Sequence, residues 1–336
     1  MKEVNDLMGQ EALLDRLRHA IKVNKVAHAY LITGEAGSGK RALARAFTEA
    51  LFCEIEPESE KQGQMDHLRL IETGNHPDVA IVEPEGARIR IDQIRGLQDK
   101  FALRSYAGYW KVGIIAGAET MTAAAANSLL KLLEEPSGKA VIMLLAESQS
   151  QLLPTIVSRC QIIALKPVPK KQIAVYLQKE YGVSVDAALV IAGLADGALG
   201  RAREIIEGDL FQWREKALAV IAAKRAQGLM ALDLARSLDA EPGAIEFTLH
   251  VFATWFRDLM LVAKGCDQDL LVHQDYLPEL LAGSSDYNVL EYQGAIREIK
   301  DTLRAINENA NRRLALDALF YQMVDLSSFS KVSEVK

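Results

Sequence analysis

Cysteine is scarce: the chain of 336 residues carries three, Cys53, Cys160 and Cys266, an odd number at wide separation. That count argues against a disulfide framework, fits a reducing compartment, and offers no spacing by which thiolates could ligate a metal. Long hydrophobic runs are missing too, and no stretch of about eighteen apolar residues suggests a membrane-spanning helix. The opening residues, MKEVNDLMGQEALL, are acidic and mixed, unlike a signal or transit peptide, so a cytoplasmic location is expected. Nor is there an excess of positive charge. The formal net charge is -6, so contact with DNA would need a local basic patch or a partner protein. No internal repeat or low-complexity tract is evident.

What is present is an ordinary globular composition, 49% hydrophobic and 25% charged, enough to bury a sizeable core in two or three domains. Residues Leu13, Leu14, Leu17, Ala20 and Ile21 recur at helical spacing, and the β-prone run AHAYLITG follows. The runs DVAIVEP, KVGIIAGA, AVIMLLAE and RCQIIALKPVP read as further strands, separated by helical stretches such as IRIDQIRGLQDKFAL and TAAAANSLLKLLEE. Strands alternating with helices imply a parallel sheet covered on both faces, with Pro77 expected to open one strand and Pro167 and Pro169 to close the last. After that the pattern is helical. The expected division is an α/β domain over 1–168, a small helical domain over 169–208 and an all-α domain over 209–330. A polar tail is expected from about Ser327, with 331–336 outside the folded part. Phe247, Leu249, Val251, Phe252, Trp255, Leu259 and Met260 supply more apolar surface than one helix face needs, which suits either a thick core or packing against partners.

Between the first strand and the next helix stands GEAGSGKR, Gly34 to Arg41. It matches G-x-x-x-x-G-K, in which glycines such as Gly34, Gly37 and Gly39 bring backbone N–H groups to phosphates and Lys40 reaches the terminal ones. The next residue should offer a hydroxyl to Mg²⁺. Arg41 has no lone pair to give and repels the cation. A working site also needs an Asp–Glu pair at the end of a second buried strand, and KVGIIAGAETMT has Ala116 and Gly117 there. Glu119 follows soon after and is expected to belong to the start of the next helix. The residues therefore describe a phosphate cradle that cannot assemble a catalytic Mg²⁺.

The segments MGQEALLDRLRHAIKVNKVAHAYLITGEAGSGK, TAAAANSLLKLLEEP, LLPTIVSRCQ and GALGRA, in this order from about Gly9 to about Gly208, resemble the clamp-loader branch of the AAA+ ATPases, with a fainter likeness in NANRRLALD near the end. The resemblance implies a RecA-like, AAA+ P-loop domain followed by a small helical lid and an all-α collar through which subunits assemble. It implies that Ser158, Arg159 and Cys160 form the motif that sends an arginine finger in trans into a neighbour's ATP site, where a planar guanidinium stabilises charge on the transferring phosphoryl group. It implies a sensor-2 role for Arg201, which either contacts phosphate when a nucleotide is bound or is solvated in the first turn of its helix. Where the family's polar sensor-1 pattern is expected, this chain has Ala146 and Glu147. Members of this type often carry a four-cysteine zinc site after the P-loop helix. Here Cys53 remains, but Gln62, Met65 and Leu68 stand at the other positions, and pairing Cys53 with His67 does not complete a tetrahedral set.

With these departures, the resemblance implies a non-catalytic stator subunit of the bacterial replicative clamp loader, without ATPase activity of its own. Its partners would be gamma/tau-type ATPase subunits and a delta-type subunit and, through the assembled complex, the sliding clamp and primed DNA. No cofactor or metal is required; ATP or ADP could lodge passively in the loop, and zinc is not expected. The alternatives are a gamma/tau-type motor subunit, which should carry Ser or Thr, Asp and Glu in place of Arg41, Ala116 and Gly117, or another AAA+ ATPase such as a DNA helicase.

Overall fold

The computed structural model describes residues 7–53, 61–106, 110–134, 138–222, 233–234, 237–238, 243–308 and 310–323. The expected polar tail lies outside them. The chain divides into two compact units, one of Met1–Val168 with Ala198–Gly200, the other of Pro169–Gly197 with Arg201–Lys336.

In the first unit the elements run α1 (Glu11–Lys22), β1 (Ala29–Thr33), α2 (Lys40–Cys53), α3 (Lys61–Glu72), β2 (Val79–Val82), α4 (Ile91–Ala102), β3 (Lys111–Ala116), α5 (Ala123–Glu134), β4 (Ala140–Ala146), α6 (Pro154–Val157) and β5 (Gln161–Ala164). The five strands form one parallel sheet in the order β2-β3-β4-β1-β5. Strands β1, β3 and β4 are buried along their whole length, which explains their unbroken apolar runs. The edge strands β2 and β5 instead leave Ile81 and Ile162 exposed. Strand alternation splits the core in two. Tyr30, Ile32, Met143 and Leu145 pack with Leu17, Leu43, Phe47 and Leu51 of α1 and α2. Leu31, Ile115, Ile142 and Leu144 pack with Ile94, Leu97, Leu129, Leu133 and Ile156 of α4, α5 and α6. The strand expected at Pro77 begins two residues later, because residues 76–79 form a turn closed by the Val79 N–H on the His76 carbonyl at 3.1 Å; the Asp78 side chain accepts from the Ser105 hydroxyl at 3.0 Å and the Tyr106 N–H at 2.8 Å.

Two polar devices complete this unit. Lys111 opens β3 but is buried, and its ammonium donates to the carbonyls of Lys100, Phe101 and Leu103, ending α4 where backbone acceptors lack partners. His76 is 3% exposed and lies against Phe52, with ring centroids 4.4 Å apart. The Asp78 N–H points at His76 Nδ1 (3.1 Å), so Nε2 carries the ring proton and donates to His67 Nδ1 at 2.8 Å. His67 stacks on Phe52 from α3, so this segment is closed by a histidine pair on a phenylalanine.

The second unit is helical, with α7 (Lys170–Tyr181), α8 (Val185–Leu194), α9 (Leu199–Glu207, whose first two residues group with the first unit), α10 (Phe211–Ala222), α11 (Ala244–Ala263), α12 (Leu277–Gly283), α13 (Val289–Asn307) and α14 (Arg312–Met323). Of the apolar residues on α11 that suited either core or partner, Phe247, Leu249, Val251, Phe252, Trp255 and Leu259 are buried in the chain's own fold, and Met260 is half-buried. They are core. Beside them runs a buried polar network. Arg214, 1% exposed, forms a two-pronged ion pair with Asp275 at 2.8 and 2.6 Å and donates through Nε to His273 Nδ1 at 3.2 Å. His273 Nε2 is then left to donate to the Thr254 hydroxyl at 3.0 Å. The fully buried Asp258 accepts the N–H groups of Val272 and His273, both at 2.8 Å.

Arg214→Ala leaves that network short of its cation. It should destabilise the chain by about 1–3 kcal/mol, the cost of leaving the buried His273 Nδ1 without its donor while Asp275, 35% exposed, turns to water, as read from the urea midpoint. Burial, then His67, lowers the pKa of His76 below the ordinary histidine value against the opposing pull of Asp78. The unfolded chain therefore takes up this proton at a higher pH than the folded one, so the stabilisation is present above about pH 6.5 and is lost as pH falls below it. His76→Phe should flatten the decline in urea midpoint between about pH 7.5 and 5.5, relative to the unaltered chain.

Candidate functional site

In a parallel sheet all carboxyl ends lie on one edge, and ligands of such folds gather there. Along that edge stand Gly34 after β1, Glu83 after β2, Gly117 to Glu119 after β3 and Glu147 after β4. The loop Gly34 to Gly39 lies between buried β1 and the first turn of α2, as its sequence predicts. Gly37 and Gly39 have φ of 75° and 94°, values that side-chain-bearing residues rarely adopt. Gly34 is required by space: a Cβ there would lie 2.7 Å from Ser38 Oγ and 3.2 Å from Leu165 Cβ. Gly200, which groups with this unit, donates its N–H to the Gly37 carbonyl at 2.9 Å. The Ser38 hydroxyl is buried without a hydrogen-bond partner, one polar atom left over inside the loop.

Lys40 turns back on the loop that precedes it. Its ammonium donates to the carbonyls of Gly34 at 2.5 Å and Glu35 at 2.8 Å. Burial lowers its pKa, while the charges of Glu147, Glu119 and Glu35 act the other way. Glu119 does not begin α5, as its position suggested. It sits in a single 3-10 turn, Ala118–Thr120, set by the left-handed Gly117, and its Oε2 is buried without a hydrogen-bond partner. The 3-10 turn makes the difference: it ends at Thr120, and two residues separate it from α5, which begins at Ala123. Arg41 extends to Glu83, Nη1 to Oε1 at 2.6 Å, in a pair whose side chains are 71% and 48% exposed. The fit is thus divided. The positive-φ glycines, the lysine and the spare hydroxyl suit a phosphate chain, whereas a guanidinium occupies the place of the metal-binding hydroxyl. Among the described residues no group of three or more His, Cys, Asp or Glu could hold a metal ion. Cys53 ends α2 partly buried, Met65 and Leu68 on α3 are exposed, and the side chain of Gln62 lies outside the described residues.

Ser158, Arg159 and Cys160 lie at the opposite edge of the sheet. They precede β5, whose Gln161 is in register with Tyr30 and whose Ala164 is in register with Thr33. Those four strand residues alone interpose roughly 13 Å between this turn and the phosphate loop. Arg159 and Lys40 therefore serve different places. The three motif residues divide their work. Ser158 Oγ donates to the Thr155 carbonyl at 3.1 Å, closing the last turn of α6. The Cys160 thiol packs into the core, and burial pushes its pKa up to about 11, so it is an anchor rather than a nucleophile. Arg159 remains, with its side chain 36% exposed, Nη1 on the Thr155 carbonyl at 2.9 Å and Nη2 on Glu134 Oε1 at 2.6 Å. Arg201 is on α9 in the helical unit, half-buried, where its charge helps to depress the pKa of His250, after burial as the leading cause and against Asp196. The partners of Lys40 and Arg159 were the part sequence reading missed. Glu134 was visible in NSLLKLLEEP but had no spacing to link it to a residue 25 positions away.

Residues 9–169 match the family model described as DNA polymerase III, delta subunit. DNA polymerase III subunit delta' of Bacillus subtilis is 32% identical over 299 residues, covering 89% of this chain and 85% of that protein. The subunit delta' of Pseudomonas aeruginosa is 32% identical over 319 residues, covering 89% and 92%. Among solved structures, a DNA polymerase III gamma subunit-related protein of Thermotoga maritima superposes with a TM-score of 0.50 over 93% of this chain and 98% of that one. At 24% identity that likeness speaks for the fold alone. No helix among the described residues is long and apolar enough to cross a membrane.

Proposed function

The chain belongs to the DNA polymerase III subunit delta' family, and from that premise we propose that it is a non-hydrolysing subunit of the replicative clamp loader, lending Arg159 to the ATP site of a neighbouring motor subunit. The observation that carries this reading is the placement of Arg159 at the amino edge of the sheet, while the chain's own phosphate loop lies at the carboxyl edge. A guanidinium so placed cannot serve its own loop and is offered to another chain. Arg41, Ala116 and Gly117 support the other half: they leave this loop without the hydroxyl and the two acids that hold Mg²⁺ and orient water.

In this role the subunit acts as a stator. It supports gamma/tau-type ATPase subunits beside a delta-type subunit, and the assembled complex opens the sliding clamp and places it on primed DNA in the cytoplasm. Residues 169–208 act as the lid and 209–330 as the collar of the assembly. No cofactor is needed. A nucleoside diphosphate or triphosphate bound passively would take its phosphates against Gly34, Gly37 and Gly39, and Lys40 would exchange the Gly34 and Glu35 carbonyls for them. Arg201 would serve phosphate only in that bound state. Zinc has no place, since one thiolate with Met65 and Leu68 beside it makes no tetrahedral set.

One observation favours a second reading, a motor subunit with a displaced acid: Glu119 follows the carboxyl end of β3, with its Oε2 buried and without a hydrogen-bond partner. A single assay separates the two. The purified chain should show no magnesium-dependent ATP hydrolysis, with or without clamp and DNA. In the reconstituted complex Arg159→Ala should lower the hydrolysis rate by about 10³-fold at the site it serves. Turnover by the isolated chain, abolished by Glu119→Gln, would establish the motor reading instead.

A further inference from the structure

We propose that Glu134 is the positioning residue for Arg159, holding the guanidinium in the orientation from which it enters the neighbouring site. The proposal rests on the in-trans reading of Arg159 given above.

Arg159 is gripped from two directions. Its Nη2 donates to Glu134 Oε1 at 2.6 Å, and its Nη1 donates to the Thr155 carbonyl at 2.9 Å. The two acceptors come from different elements, Glu134 from the last residue of α5 and Thr155 from within α6. Both elements are anchored in the same core, through Leu129, Leu132 and Leu133 on one side and Ile156 on the other. The carboxylate is therefore delivered by a rigid support, not by a loop. A guanidinium has five N–H donors, and these two contacts use two of them, so three remain for the oxygens of a phosphate.

Folding stability does not explain the pair. The side chains are 36% and 50% exposed, and ion pairs that open to water add little to stability. What such a pair does supply is order. An arginine side chain has several free torsions, and each must be fixed when the guanidinium docks on its target. Glu134 and Thr155 fix them beforehand. In a site where small misplacements slow the reaction steeply, that order appears in the rate of the chemical step and not in nucleotide affinity. The contact to Glu134 is through one oxygen and one nitrogen, so the phosphate does not have to displace a two-pronged pair to reach the remaining donors.

The test uses the full chain in the reconstituted complex with its motor and delta-type subunits, at saturating subunit concentration, with clamp and primed DNA. Glu134→Ala should lower kcat for ATP hydrolysis roughly tenfold and leave KM for ATP within about twofold. Glu134→Gln should fall between, because its amide oxygen still accepts from Nη2 without the charge. The deficit of Glu134→Gln should shrink as salt rises, since an exposed pair is screened. In an Arg159→Ala background, Glu134→Ala should have no further effect. A Glu134→Ala complex with unchanged or raised kcat, or one that slows Arg159→Ala further, overturns the proposal. If Arg159→Ala is itself silent, the in-trans reading falls with it; if Arg159→Ala is slow and Glu134→Ala is not, only the positioning role falls.

Discussion

The polarity of a parallel sheet governs everything else in this protein. Strands β1 and β5 run side by side in the same direction, and β1 is buried on both faces, so β1 cannot slide or flip without exposing its apolar side chains. The carboxyl end of β1 becomes the phosphate loop. The amino end of β5 receives Arg159. The glycine loop and the Arg159 guanidinium are thereby held apart by the length of a strand.

The elements that could be read from sequence are those whose signal is local. The phosphate loop was legible because its glycines stand between a buried strand and an amphipathic helix, and the strands because parallel central strands carry unbroken apolar runs. The loss of the acids was legible because Ala116 and Gly117 occupy a fixed place at the end of one such run. The contacts of the site were not legible. Lys40 lies back on its own loop, Arg41 reaches Glu83 across the sheet, and Glu134 meets Arg159 from another element. The last two depend on tertiary placement and the first on the turn of the loop, and no sequence period encodes either.

The buried polar groups show the same limit more sharply. Arg214 stands in FQWREKALAV, where a charge at that spacing reads as a solvated helix face, yet it is nearly inaccessible and tied to Asp275 and His273. His67 and His76 look incidental apart; together on Phe52 they close the segment between α2 and β2. Lys111 opens a central strand because three carbonyls at the end of α4 need a donor. The partners of Arg214 lie 59 and 61 residues on, those of His76 and Lys111 only 8 to 11 residues away, and in each case satisfying the group sets the position of the element.

The lysine of the phosphate loop carries a consequence for how such a loop can outlast its chemistry. Its ammonium supplies donors to the carbonyls of Gly34 and Glu35, which otherwise would turn into a crowded loop beside Leu165 with fewer donors to meet them. Lys40 thus has architectural employment that owes nothing to a nucleotide. A chain can surrender the hydroxyl and both acids at little cost to its fold, while exchanging this lysine for an apolar residue would unsettle the turn itself. The residue that most looks made for a phosphate is also a strut.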